Sequence, residues 1–227
     1  MSKPSNRPAA DPPRRFDPPA ALEAERLDLC RLLDTLDEGQ WSTPSLCDGW
    51  TVHDVVAHLS TSTRTGLREM VVAIVRARFD FDRAEADTAR TIARTTDPDT
   101  LVKMLRDHAD STRHAPGSST PDQLLDVIVH AQDIARPLDL DHPVHPARAI
   151  PALDHALASR WYGAEKRFDD VQLAATDTAW ASGDGERRLE APLADLLLLA
   201  TGRVAGLDNA TGDGATIVAE RLGATRE

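Results

Sequence analysis

Asp126-Val127-Ile128-Val129-His130 sets a carboxylate and an imidazole four residues apart inside an apolar run. On an α-helix that spacing puts both side chains on one face, one turn apart, where they can hold one cation. Gly49-Trp50-Thr51-Val52-His53-Asp54-Val55-Val56-Ala57-His58-Leu59 supplies another imidazole, His58, on a separate predicted helix. Three such donors from facing helices match the open, three-protein-ligand arrangement of catalytic zinc sites. Carboxylate-x-x-x-His pairs also arise by chance. A single helical histidine is commonly hydrogen-bonded core or plain surface, so spacing alone leaves both readings open.

The apolar periodicity around these segments predicts helices. Ala20 to Asp37 carries Leu22, Leu29, Leu32, Leu33 and Leu36 at helical spacing, with Gly39 as its end. Thr51 fits an N-cap whose hydroxyl accepts from the N–H of Asp54, the carboxylate at the third helical position. Val52, Val55, Val56 and Leu59 form the stripe beside His58, continued toward Arg78 by Leu67, Met70, Val71, Ile74 and Val75. His53, five residues before His58, falls off that face and is expected at the surface. Phe79 to Thr95 reads as a polar helix or connection, Pro98 opens the next helix, and Pro121 with Asp122 opens the one carrying Asp126 and His130. Four main helices by Pro137 make the count of a four-helix bundle.

Beyond Asp139 the texture changes. His142-Pro143-Val144-His145-Pro146 is a linker, followed by an amphipathic helix over Ile150 to Arg167. Val171–Thr176, Thr178–Ser182 and Arg187–Glu190 alternate around Gly183-Asp184-Gly185 and predict a small antiparallel sheet. Helices are expected from Pro192 to Leu199 and from Gly214 to Leu222. The predicted organisation is a disordered arm over 1–19, which holds six prolines, a helical bundle over 20–140 and a small C-terminal α/β unit over 150–227. The fold class is α+β, mainly α.

A net charge of −11 argues against a nucleic-acid binder, whose affinity would rest on clustered Lys and Arg. No apolar run of about 18 residues suggests a membrane span. The N-terminus lacks the apolar stretch of a secretory signal, so Cys30 and Cys47 are expected as reduced, cytoplasmic thiols without a redox role. With no C-x-x-C or C-x-x-H pair, thiol chemistry here calls for a thiol from outside.

Leu46-Cys47-Asp48-Gly49-Trp50-Thr51-Val52-His53-Asp54-Val55-Val56-Ala57-His58-Leu59 resembles the signature of the mycothiol-dependent maleylpyruvate isomerase family, within the DinB/YfiT-like helical-bundle metalloproteins. Asp126-Val127-Ile128-Val129-His130-Ala131-Gln132-Asp133-Ile134-Ala135-Arg136-Pro137-Leu138 looks like its second signature. Trp180-Ala181-Ser182-Gly183-Asp184-Gly185, with Asp195-Leu196-Leu197-Leu198-Leu199-Ala200-Thr201-Gly202-Arg203, resembles its C-terminal α/β domain, itself like a sterol-carrier fold.

The resemblance implies a DinB-like four-helix bundle and a divalent metal, zinc first and nickel as an alternative, on His58, Asp126 and His130. Family members often carry glutamate where this chain has Asp126. The shorter aspartate needs closer helices or an intervening water. Asp133 suits a group that orients an imidazole. The implied thiol cosubstrate is mycothiol, an actinobacterial low-molecular-weight thiol. Adding its thiolate to an activated double bond, then rotating and eliminating, gives an isomerase; trapping the adduct gives a transferase. Arg203 is the candidate catalytic group, pairing with a substrate carboxylate or the thiol, or else a charge favouring the C-terminus of its own helix. Partners are then a small-molecule substrate and a thiol, in a cytoplasmic monomer or homodimer. A metal-binding or interaction protein without turnover is the competing reading.

Overall fold

The computed structural model describes residues 16–61, 81–114 and 117–224. Most of the predicted arm, and the predicted extension of the His58 helix past residue 61, lie outside them.

α1 spans Pro18–Leu33, with Asp17 as N-cap and Pro18 in the first turn, where its missing N–H costs nothing. It thus starts two residues inside the predicted arm. It also stops short of Asp37, because the hydroxyl and N–H of Thr35 both turn back to the Leu32 carbonyl, at 2.7 and 3.0 Å. α2 spans Val52–Thr61 and opens on the predicted capping box. Thr51 Oγ1 accepts from the Asp54 N–H at 3.2 Å, and Asp54 Oδ2 accepts from the Thr51 N–H at 2.9 Å. α3 is Phe81–Ala93, and α4 is Pro98–Asp107, capped by Asp97. α5, Thr120–Ala135, is capped by Ser119.

α5 is the centre of the molecule. It packs against α1 and α2 on one side and, on the other, against α6 (Pro146–Ala158) and α8 (Leu193–Ala200). Leu124, Leu125, Ile128 and Val129 join an apolar cluster with Ala152, Leu153, Leu196 and Leu197. Val127, Ala131 and Ile134 join a second cluster with Leu22, Leu29, Val55, Val56 and Leu101. A helix buried all round cannot show a clean one-sided stripe, and polar residues it carries inward need partners.

The single helix predicted over 150–167 is two. α6 begins at Pro146 and ends at Ala158, where Ser159 turns extended, and α7 (Ala164–Arg167) restarts from Gly163 at φ +69°.

The sheet orders its strands β2 (Ala181–Ser182), β1 (Val171–Ala175), β3 (Arg187–Ala191). β2 is antiparallel to β1, pairing Leu173 with Ser182, but β3 is parallel to it, pairing Val171 with Arg187 through Ala175 with Ala191. The predicted all-antiparallel sheet is therefore mixed. The cause is the Gly183-Asp184-Gly185 segment, which crosses the start of β1 rather than closing a hairpin. A Cβ at Gly185 would lie 2.2 Å from the Asp170 carbonyl carbon, so only glycine fits this crossing. The last helix, α9, is Asp213–Arg221. No helix among the described residues is long and apolar enough to cross a membrane.

Candidate active site

α2 and α5 bring His58, Asp126 and His130 together. His58 Nε2 lies 3.3 Å from one Asp126 oxygen, and His130 Nε2 lies 3.3 Å from the other. One donor atom from each residue falls within 4.8 Å of the other two. The aspartate is thus long enough to face both imidazoles directly. Trp50 covers the pair, stacked on His130 at 6.5 Å between centroids and edge-on to His58 at 5.6 Å. The Asp126 side chain is 36% exposed against 11% and 10% for His58 and His130, so the cluster opens to solvent over its carboxylate.

Behind it, on the opposite edge of the His130 ring, Nδ1 makes a 2.8 Å hydrogen bond with Asp133 Oδ2. This bond sets which imidazole nitrogen faces Asp126. The Asp133 side chain is fully buried and is held in turn by Arg203, whose Nη2 donates to Oδ2 at 2.9 Å and Nε to Oδ1 at 3.3 Å. Arg203 also donates through Nη1 to the Thr201 carbonyl at the end of α8, at 3.2 Å. Of the two sequence readings of Arg203, the fork onto a carboxylate and the charge at a helix end both have a counterpart, but the carboxylate is the protein's own.

The electrostatics follow from this chain of opposite charges. Partial removal from water works against an ionised Asp126, yet His130 and His58 hold it well below the ordinary carboxylate range. Burial works against a charged His130, and Asp126 and Asp133 outweigh it, raising its pKa well above the usual imidazole value. For Asp133, burial is outweighed by His130 and Arg203, and the pKa falls to about 2.

Cys47 lies beside this site, a placement the sequence reading did not include. Its thiol donates to Asp133 Oδ2 at 3.1 Å and lies 3.6 Å from His130 Nδ1. The turn that puts it there is closed by Ser45, whose N–H donates to the Trp50 carbonyl at 2.9 Å and whose hydroxyl accepts from the Cys47 N–H at 3.1 Å. Proximity to the His58 helix was the available signal. His53 is away from the site as expected but is half-buried rather than at the surface. Its Nε2 lies 3.1 Å from the Thr96 carbonyl oxygen, and its ring meets the Trp41 edge.

Two imidazole nitrogens and a carboxylate, one imidazole oriented from behind, are a donor set suited to a borderline divalent cation such as zinc. Fold and site together define a class: a helical bundle with candidate metal donors on two facing helices, closed by an arginine from a small α/β unit.

The sequence model of the mycothiol maleylpyruvate isomerase N-terminal domain matches residues 22–137. That is just over half of the chain, and the chain belongs to this family. No curated protein sequence matches the chain. Among solved structures, the chain is similar to a crystal structure of the mycothiol-dependent maleylpyruvate isomerase, at a TM-score of 0.54 and 16% identity. It is similar too to a histidine-to-alanine mutant of that enzyme, at 0.58 and 16%. Each match covers 87% of this chain and 92% of the other, so the likeness of fold extends past the bundle into the C-terminal unit.

Proposed function

We propose that this chain is a metal-dependent enzyme that uses mycothiol to isomerise a small molecule with an activated double bond, or to transfer the thiol to it. The observation that carries this reading is the convergence of His58, Asp126 and His130 on one solvent-facing point, with His130 braced from behind by Asp133 and Arg203. Family membership supports the thiol, and the N, N, O donor set supports a divalent cation, zinc first and nickel as an alternative.

His58, Asp126 and His130 would hold the cation, which when bound supplies the Lewis acidity that lowers a thiol pKa toward neutrality. Asp133 keeps His130 turned with Nε2 toward Asp126. Arg203 keeps Asp133 ionised and in place, so it acts as a positioning residue. Trp50 shields both imidazoles, and the exposed edge of Asp126 marks the side from which small molecules arrive.

The chemistry balances without an oxidant. The thiolate sulfur bonds to one alkene carbon while the π electrons move into a conjugated carbonyl, and the former double bond rotates. The electrons then return, the C–S bond breaks and the thiol is regenerated. Keeping the adduct would make the outcome a transfer. The same reading implies a cytoplasmic location.

The test is calorimetry of mycothiol binding to the zinc-loaded protein in two buffers of different ionisation enthalpy. A released proton is expected as the thiol ionises, with binding weakened in His58→Ala. If the zinc-loaded protein binds no thiol at millimolar concentration, the enzyme reading falls and a metal-binding bundle without turnover takes its place.

A further inference from the structure

The edge of the His130 ring that faces away from Asp126 carries a second set of donors. Cys47 Sγ lies 3.1 Å from Asp133 Oδ2 and 3.6 Å from His130 Nδ1, and Nδ1 lies 2.8 Å from the same oxygen. The three atoms fall within 4.8 Å of one another, as those of His58, Asp126 and His130 do. Donors bound to one zinc-sized ion at about 2.0–2.3 Å stand roughly 3–4 Å apart, so this triangle closes on a cation with small movements.

The loop that brings Cys47 here is pinned independently of its thiol. The Leu46 N–H donates to the Asp133 carbonyl at 3.1 Å, and the Trp50 N–H donates to the Cys47 carbonyl at 3.0 Å. Sulfur, nitrogen and oxygen are therefore held facing one another by backbone bonds. Cys47 is the most exposed of the three residues, so a cation enters from its side. The other cysteine, Cys30, is buried in the bundle core.

The surroundings select what the set can take. Arg203 holds both Asp133 oxygens, at 2.9 and 3.3 Å, and its charge opposes a cation at that carboxylate. Affinity then has to come from the thiolate, and thiolates favour soft ions over those that suit nitrogen and oxygen donors. The rear set thus matches a cation softer than zinc, while zinc suits the two imidazoles and the carboxylate in front.

We propose that Cys47 Sγ, His130 Nδ1 and Asp133 Oδ2 form a second cation site, for a thiophilic ion of the cadmium class, whose filling empties the first. The thiol proton and the Nδ1 proton leave to solvent as the ion enters, and Nε2 keeps the remaining ring proton toward Asp126. A protonated Nε2 has no lone pair to give. The front cluster is then left with His58 and Asp126, too few donors to retain a metal firmly. This exclusion rests on the front cluster being the zinc centre; the rear site itself does not.

The test titrates cadmium into the full-length protein and follows the ultraviolet thiolate-to-cadmium charge-transfer band. The band should appear in wild type and in His58→Ala, and be lost in Cys47→Ser, whose side chain keeps the size of the original. In zinc-loaded wild type, growth of the band should release zinc to a chromogenic chelator mole for mole. A band absent from wild type, or one that survives in Cys47→Ser, overturns the rear site. A band that grows while zinc stays bound overturns the exclusion. If the protein takes up no zinc yet shows the Cys47-dependent band, the zinc centre falls and the rear site stands.

Discussion

Replacing Arg203 with alanine tests whether the site is held from behind. In the folded protein Asp133 is fully buried, and Arg203 gives it one good charge-assisted hydrogen bond at 2.9 Å and a weaker one at 3.3 Å. Such bonds contribute about 1.5–3 kcal/mol each, and an abandoned buried charge costs about 3–5 kcal/mol. Asp133 keeps His130 and Cys47 as partners, so we set the loss at about 2–4 kcal/mol, or roughly 10 °C in Tm for a chain of this size. Thermal unfolding of the metal-free protein by circular dichroism gives the first readout. The second is a cycle with Asp133→Asn, in which the coupling should exceed about 1 kcal/mol. The third is zinc affinity, expected to fall about 10–100-fold because His130 loses its orientation. The pH dependence has a definite sign. Asp133 is depressed to about 2 when folded, below its unfolded value of about 3.9, so its contribution is complete above that value and lost as pH falls through about 2. Without Arg203 the folded pKa rises, and acid unfolding of the metal-free variant begins at higher pH. Additive effects in the cycle, with Tm within about 2 °C of wild type, would refute the brace.

Three further outcomes are expected. His58→Ala and His130→Ala should each abolish stoichiometric zinc or nickel binding in equilibrium dialysis, since two donors rarely retain a metal firmly, and unchanged metal content in both would remove the proposed centre. Iodoacetamide at pH 8 should label half-buried Cys47 and spare Cys30, whose pKa burial pushes up to about 11; mass spectrometry showing Cys30 modified first would contradict this. Gly185→Ala should destabilise by at least about 1–3 kcal/mol in urea titrations, because its Cβ would overlap the Asp170 backbone, and a neutral result would mean that the crossing at β1 is misplaced.

What the sequence discloses here is what acts over short range. The Thr51–Asp54 box, Pro121 with Asp122, and the start at Pro98 are set within a turn of chain, and they mark where α2, α5 and α4 begin. The four-residue spacing of Asp126 and His130 is local in the same sense. Less legible was everything settled by distant chain. The fork of Arg203 closes on a carboxylate 70 positions away, and the Cys47 thiol meets one 86 positions away. Alternation marks strands but carries no direction, so the parallel β1–β3 pairing depended on a backbone crossing at Gly185 that periodicity does not encode. The predicted 150–167 helix is broken where Ser159 turns extended and restarts only after the left-handed Gly163, neither of which an apolar stripe reveals.

The family match stops at residue 137, but the packing does not. A fragment ending there would strip Leu124, Leu125, Ile128 and Val129 of the surface that covers them. At about 1.5–3 kcal/mol per side chain, that forfeits about 6–12 kcal/mol, comparable to the whole stability of a typical domain. The two halves are therefore not interchangeable parts. A C-terminal unit grafted from a relative would have to bring, or be matched to, the far face of α5. The candidate metal donors and the side chains covered by the C-terminal unit alternate along one helix, which ties the diversification of the site to that of the unit packed behind it.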